Sequence, residues 1–177
     1  MRKVMGAAVG AAALLGSVFA GGTASADPTA SRHLNQSAYT GYNTLKSVAT
    51  GKCVDDSNYG LRDFGCQDPY GQYAAFQQFL LLGQPNGSVV IQNKATGKCV
   101  DDSNYGLRDF GCQDQSGQYA AFQQFWLIAG SAPNTWVFQS VATGKCIDDS
   151  NYGLRDFGCQ DQSGQYAAFQ QFVGTGY

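Results

Sequence analysis

The sequence predicts an all-β domain assembled from three copies of one unit, and three observations support this. Residues 50–79 recur almost unchanged as 96–125 and 143–172, with the first cysteines of the copies 46 and then 47 residues apart. Short apolar runs bounded by Gly, Asn, Asp and Ser recur within each copy, as is typical of strands. Sustained helical periodicity is missing after residue 20. A fixed period of this size indicates units that bury one shared core.

The amino-terminal 26 residues resemble a secretory signal peptide in their composition. A basic start precedes an apolar run over 4–20, and Ala24-Ser25-Ala26 offers a cleavage site before Asp27. An uncleaved membrane anchor is the alternative. We expect residues 27–41 to form a flexible leader, in which His33 is a solvated side chain. The folded domain is then 42–177, with repeats at about 42–87, 88–134 and 135–177.

Charge and composition exclude several classes of function. Without the two basic residues of the signal peptide, 9 basic side chains face 13 acidic ones, a net charge of −4, and every acid is Asp. Nucleic acid or an anionic membrane would call for a basic surface, so neither partner is expected. The repeats lack Glu, His and any nucleophile or nucleotide motif, and neighbouring Asp55 and Asp56 would point to opposite faces of a strand. We therefore expect no enzymatic activity and no cofactor.

Each unit is predicted to hold four short strands, which makes twelve in all. The runs that predict them are Asn43–Lys46 (a weaker match), Val89–Gln92 and Trp136–Gln139 for the first strand, Lys98–Asp101 for the second, Leu107–Phe110 for the third and Ala121–Ile128 for the fourth.

The six cysteines occur as one pair in each copy, always 13 residues apart. Fifteen connectivities are possible, but the repeat favours local pairs, which are Cys53–Cys66, Cys99–Cys112 and Cys146–Cys159. Each such disulfide would contribute roughly 3 kcal/mol in the chain-entropy model. A metal cluster is the rival interpretation, although CxxC spacing is missing. A calcium loop at 56–63 is another, but its spacing is incomplete, so no metal is expected.

The order of these motifs resembles the ricin-B-type β-trefoil lectins. In that family a Cys-x-Asp start is followed by a second cysteine and a Gln-x-Trp motif, and here Gln77-Gln78-Phe79 and its two copies carry Phe for Trp. The Asp-Ser-Asn-Tyr run is similar to that of actinohivin-like threefold lectins, which bind high-mannose glycans. The resemblance covers about 42–177. It implies a barrel with a hairpin cap and pseudo-threefold symmetry, whereas propeller blades completed by oligomerisation are the alternative fold.

The resemblance also implies which side chains fill the common core. They are the Phe of each Gln-x-Phe motif, the residue after each first cysteine and one apolar residue of each first strand: Phe79, Phe125, Phe172, Val54, Val100, Ile147, Leu45, Ile91 and Phe138.

By the same resemblance, each repeat carries one sugar site. Its members are an Asp after the first cysteine, expected on the solvent-facing side of its strand, a stacking Phe, a Gln after the second cysteine, and an Asn-Tyr pair. The candidates are Asp55, Asn58, Tyr59, Phe64, Gln67, Asp101, Asn104, Tyr105, Phe110, Gln113, Asp148, Asn151, Tyr152, Phe157 and Gln160.

Several details depart from the family pattern or have a simpler interpretation. Arg62 and its copies stand where actinohivin-like repeats carry Tyr, and could simply pair with Asp63 or Asp68 at the surface. The run 56–58 could be turn chemistry. A Phe precedes each Gln-x-Phe motif where a polar or Tyr contact is usual, so Tyr73 and its copies could supply missing contacts.

Together these features predict a secreted lectin, extracellular and monomeric, with three equivalent weak sites for glycans or polysaccharides. The alternative is a protein-binding trefoil subunit of a secreted assembly, such as a toxin component or a protease inhibitor. Glycan binding that free sugar blocks would distinguish the first from the second.

Overall fold

The computed structural model describes residues 41–177, so the predicted signal peptide and nearly all of the leader lie outside the described residues. Within that range twelve strands follow one another, four in each repeat, as predicted. They are β1 Tyr42–Ser47, β2 Cys53–Ser57, β3 Gly60–Phe64, β4 Phe79–Gly83, β5 Val89–Asn93, β6 Cys99–Ser103, β7 Gly106–Phe110, β8 Gln124–Ala129, β9 Thr135–Ser140, β10 Cys146–Ser150, β11 Gly153–Phe157 and β12 Phe172–Gly176.

Six of the strands close into an antiparallel barrel. The ladder runs from β1 to β4, β5, β8, β9 and β12, and β12 pairs again with β1 from Asn43–Gly176 to Ser47–Phe172. Closure leaves the barrel without free strand edges. The hairpins β2–β3, β6–β7 and β10–β11 contact one another through β3, β7 and β11. This is a β-trefoil, and the propeller alternative is wrong because one chain closes the barrel.

The three repeats share one apolar core. Phe79, Phe125 and Phe172 are completely buried in it, as predicted for the Phe of the Gln-x-Phe motif. The other predicted core residues are buried as well, and one Leu from each capping hairpin packs against them: Leu45, Val54, Ile91, Val100, Phe138 and Ile147, with Leu61, Leu107 and Leu154. No repeat could enclose these side chains alone.

The disulfides join cysteines of the same repeat, as predicted. They are Cys53–Cys66, Cys99–Cys112 and Cys146–Cys159, each with 5.0 Å between Cα atoms. The first cysteine of each pair is buried at the start of a hairpin strand. The second lies just after the hairpin, so each disulfide ties the hairpin's outgoing chain back to its start.

The predicted fourth strand was wrong in its first half. Residues Ala120–Gln123 form a 3₁₀ helix, and β8 begins only at Gln124. Alanine is a poor strand former, and Ala120 and Gln123, three residues apart, are the two buried members of this turn, which matches the 3₁₀ period. The same helix occurs as Ala74–Gln77 and Ala167–Gln170. No helix of the described range is long and apolar enough to cross a membrane.

A ring of carboxylate–hydroxyl hydrogen bonds connects the repeats. Three buried side chains, called here the interface aspartates, each accept a hydrogen bond from a threonine of a neighbouring repeat: Asp56 from Thr96, Asp102 from Thr143 and Asp149 from Thr50. Since these aspartates lie within strands, the interpretation of Asp56 as turn chemistry is wrong. The other carboxylate oxygen, Oδ1, is buried without a partner among the described residues.

Burial raises the pKa of each interface aspartate above the ordinary 3.8, although the threonine hydroxyl opposes the rise. The folded protein therefore holds these protons more tightly than the unfolded chain does. Their stabilising contribution is complete below pH 3.8 and is lost as the pH rises through the raised pKa of the folded state.

We predict that the triple substitution Asp56→Asn, Asp102→Asn and Asp149→Asn removes this pH dependence. An amide cannot ionise, so the free energy of unfolding of the wild type, relative to the variant, should fall as the pH rises from 3.8 through the raised pKa of the folded aspartates and then level off. Urea denaturation at a series of pH values measures it.

A matched control is the pair Asp114→Asn and Asp161→Asn at the surface. Hydrogen bonds from the backbone and hydroxyl of Ser116 and Ser163 lower the pKa of these two carboxyls, so their contribution is lost only as the pH falls. A constant difference between the wild type and the interface variant over the whole range would contradict the prediction.

Candidate functional site

A cleft of about 340 Å³ lies in the third repeat, between the β10–β11 hairpin and the segment that carries the 3₁₀ helix. Its walls are polar and aromatic. The lining residues are Asp148, Ser150, Asn151, Tyr152, Arg155, Phe157, Gln160, Tyr166 and Phe169. All five candidates predicted for this repeat are among them.

An arginine forms the centre of the hairpin wall. The guanidinium carbon of Arg155 lies 4.9 Å from the ring centre of Tyr152 and 4.6 Å from that of Phe157, so it contacts both rings. Such cation–π contacts hold the charge in a fixed orientation. Arg155 and Phe157 share a face of β11 because they are two residues apart. Tyr152, in the hairpin turn, is 82% exposed.

Asp148 lies directly opposite Arg155 in the hairpin and pairs with it. Arg155 Nε donates to Asp148 Oδ1 at 3.1 Å, and the buried Gln170 Nε2 approaches Oδ2 at 3.4 Å. Both carboxylate oxygens therefore already have protein partners. The expected surface pairing of Arg62 with Asp63 or Asp68 was wrong, because Arg62 pairs instead with Asp55 at 3.1 Å.

The expectation of a solvent-facing aspartate was also wrong. Asp55 and Asp101 are 3% exposed and Asp148 is 2% exposed. Alternation along the strand does turn each away from the apolar core. The arginine across the hairpin and the glutamine of the 3₁₀ helix cover that second face, however, so the strand is buried on both sides.

Gln170 positions the cleft, a role that the sequence did not reveal. Besides Asp148, its side chain donates to Gly158 O at 3.0 Å and accepts from Gln160 N at 2.8 Å. It thereby joins the hairpin strand to the chain that follows Cys159. Gln170 is the first residue of a Gln-x-Phe motif, but the motif predicted a position only for its Phe.

The opposite wall is formed by the ring pair Tyr166 and Phe169. The two rings stack with centres 6.1 Å apart and an angle of 16° between their planes. Tyr166 is half exposed, so its ring faces the cleft and solvent. The sequence had suggested Tyr166 as a possible replacement for missing contacts and had marked Arg155 only as a departure from the family pattern, and both line the cleft.

The first and second repeats contain the same contacts. Arg62 lies between Tyr59 and Phe64, and Arg108 between Tyr105 and Phe110, at 4.6 to 4.8 Å. Their ion pairs and the glutamine bridges of Gln77 and Gln123 also repeat those of the third copy: Arg62–Asp55, Arg108–Asp101, Gln77–Gln67 and Gln123–Gln113.

The remaining predicted residues lie at the rim. Asn58 and Asn104 are exposed in the hairpin turns, as Asn151 is, while Gln67 and Gln113 are half buried beside the cleft wall. Among residues 41–177 no group of three or more side chains is arranged to hold a metal ion.

Comparison with known families identifies the class of protein. The model described as ricin-type β-trefoil lectin domain-like matches residues 32–106 and 75–160. The chain therefore belongs to the ricin-type β-trefoil lectin-like family, and this membership suggests carbohydrate binding. No match was found among the curated proteins.

Solved structures agree on the fold. The designed threefold symmetric protein ThreeFoil is 19% identical with a TM-score of 0.60, over 78% of this chain and 100% of that one. The BEL β-trefoil is 14% identical with a TM-score of 0.59, over 77% and 94%. A GH54 α-L-arabinofuranosidase is 10% identical with a TM-score of 0.63, over 78% of this chain but only 31% of that one.

We predict that Gln170→Met destabilises the third repeat. The substitution keeps the volume but leaves Gln160 N–H and Asp148 Oδ2 without their partner, which should lower the free energy of unfolding by about 1–3 kcal/mol. Chemical denaturation measures the loss. The neighbouring Gln165→Met, at an exposed position, serves as the control, and equal effects of the two substitutions would contradict the bridging role.

Proposed function

We propose that this protein is a secreted lectin whose three equivalent clefts each bind one sugar unit weakly. The observation that carries the proposal is the cleft of the third repeat, which combines exposed aromatic rings with hydrogen-bonding side chains. The arginine–ring contacts that build it recur in the first and second repeats. Family membership supports the same conclusion.

The chemistry of the cleft suits a pyranose. The exposed face of Phe157 offers an apolar surface for the C–H face of a sugar ring, while Tyr166 stands across the cleft. Side chains of Asn151 and Gln160 at the rim provide amide donors and acceptors for hydroxyl groups. A small number of polar groups within an aromatic enclosure is the usual design of a ligand site.

Each cleft is expected to be weak alone. A shallow, open site that holds one sugar binds at about the millimolar level, or roughly −4 kcal/mol. Three sites on one rigid domain can raise the avidity for a dense glycan surface by roughly 10² or more. Near-identity of the three site segments fits this use, because all three clefts would recognise the same unit.

The hydrogen bonds of Asp148 support binding without hydrolysis. Asp148 is the single carboxylate among the described residues that line the cleft, and both of its oxygens are bonded to Arg155 and Gln170. A glycosidase needs two carboxyl groups that flank the bond. The arabinofuranosidase with a similar fold is a longer chain, of which the matched part is 31%.

Two features of the chain, its disulfides and its amino-terminal sequence, support secretion. Three disulfides are consistent with an extracellular protein, because such bonds persist in oxidising compartments. The composition of residues 1–26 supplies the secretion signal that the proposal requires.

We predict that glycan retention depends on the number of intact clefts. Phe64→Ala, Phe110→Ala and Phe157→Ala each remove one stacking surface from a half-exposed position, so the fold should tolerate them. Isothermal titration with a soluble sugar should lose one site per substitution. Retention on a glycan-coated surface should fall more steeply, by at least about tenfold for the triple variant, which corresponds to 1.4 kcal/mol.

Tyr70→Ala is the matched control, since Tyr70 is an exposed ring outside the clefts that packs against Tyr177. If the triple variant folds and retains glycan as the wild type does, the clefts are not the sugar sites. If the wild type retains no glycan but captures one defined protein regardless of sugar, the protein-binding alternative replaces the lectin.

A further inference from the structure

We propose that the clefts select saccharides that carry a carboxylate, such as hexuronic or sialic acids, and that the arginine of each cleft binds this group. The inference rests on the proposed lectin function and names the class of sugar. It follows from the hydrogen bonds of Asp148 and Arg155. Both oxygens of Asp148 have protein partners, whereas Arg155 uses only its Nε.

The arginine has an unused pair of donors. Only Nε of Arg155 is engaged by Asp148, and the structure records no hydrogen bond from its two terminal nitrogens to residues 41–177. About a third of the side chain is exposed. A guanidinium presents its terminal nitrogens in a planar fork that matches the two oxygens of a carboxylate. This free edge is the strongest unsatisfied group in the cleft.

Two aromatic rings restrict the movement of the fork. Arg155 lies over the rings of both Tyr152 and Phe157, and Asp148 fixes its Nε edge, so rotation of the guanidinium is restricted. A preorganised donor pair loses little conformational entropy when a ligand binds. A simple surface ion pair would not need two aromatic faces.

The aspartate, in contrast, has little capacity left for ligand hydroxyls. Gln170 and Arg155 occupy its two oxygens, and it is 2% exposed. A neutral sugar would therefore miss the charged acceptor that such a site is expected to supply. The cleft offers a ligand strong donors rather than strong acceptors, and an anionic sugar supplies the matching acceptors.

The negative net charge of the chain does not prevent this. No other carboxylate is among the described residues that line the cleft, and Asp156 on the neighbouring hairpin position is paired with Lys145. Charges beyond about 8–10 Å are largely screened at physiological ionic strength. Asp148 lies at the Nε edge of the arginine, and the ligand would approach the other edge.

The test compares acids with their methyl esters, in which a methyl group replaces the negative charge of the carboxylate. Methyl glycosides of glucuronic, galacturonic and sialic acid, and the methyl ester of each, are titrated into the wild-type protein. We expect at least one acid to bind at least tenfold more tightly than its ester, and this preference to weaken as salt is raised.

The variant that tests the arginine is Arg62→Lys, Arg108→Lys and Arg155→Lys together. Lysine keeps the charge opposite the aspartate but cannot form the fork, so the ratio of acid affinity to ester affinity should shrink to less than about threefold. The matched control is Lys52→Arg, Lys98→Arg and Lys145→Arg, which also exchanges one cation for another, at three residues whose partners are Asp63, Asp109 and Asp156. This control should keep the preference.

A measurement on the wild type avoids any folding defect of the variants. The side-chain N–H resonances of the three cleft arginines should shift on addition of the acid and stay in place with the ester. Equal binding of acids and esters while other glycans are retained would overturn the carboxylate inference and leave the lectin. Failure to bind any glycan would overturn both.

Discussion

No repeat of this protein can bury its own apolar strands, and the rest of the structure depends on that constraint. Phe79, Phe125 and Phe172 become buried only when three units meet around one axis. The Gln-x-Phe position carries the same Phe in all three repeats, whereas the first-strand core position varies between Leu45, Ile91 and Phe138. The interface aspartates occupy the boundaries between units, so their ionisation affects the assembly of the repeats rather than any one of them.

The sequence was sufficient for features that depend on spacing or on apolar character alone. Val54 and Phe79 lie in the core, as the resemblance to the family implied. Cys53 pairs with Cys66 because an identical local loop recurs in each copy. These properties are decided within a repeat, and the same pattern supports each inference in all three copies.

Burial of polar groups was not predictable, because it depends on what covers a strand after folding. Asp55 faces away from the core, and only the structure shows Arg62 and Gln77 closing over it. Gln77 acts through a 3₁₀ turn that the strand-like pattern of its neighbours concealed. The cleft is thus made by side chains from distant parts of a repeat, and its most informative member, the arginine, was visible in the sequence only as a misfit.

The ring of aspartate–threonine bonds has no beginning or end. Each repeat accepts a bond from one neighbour and donates a bond to the other, and Tyr177 N–H donates to Tyr42 O at 3.0 Å, where the described chain closes on itself. The contacts between neighbouring repeats are therefore of the same kind wherever a repeat stands in the chain. Chain order is a property of the gene, whereas the three boundaries between repeats in the folded domain all carry the same hydrogen bond.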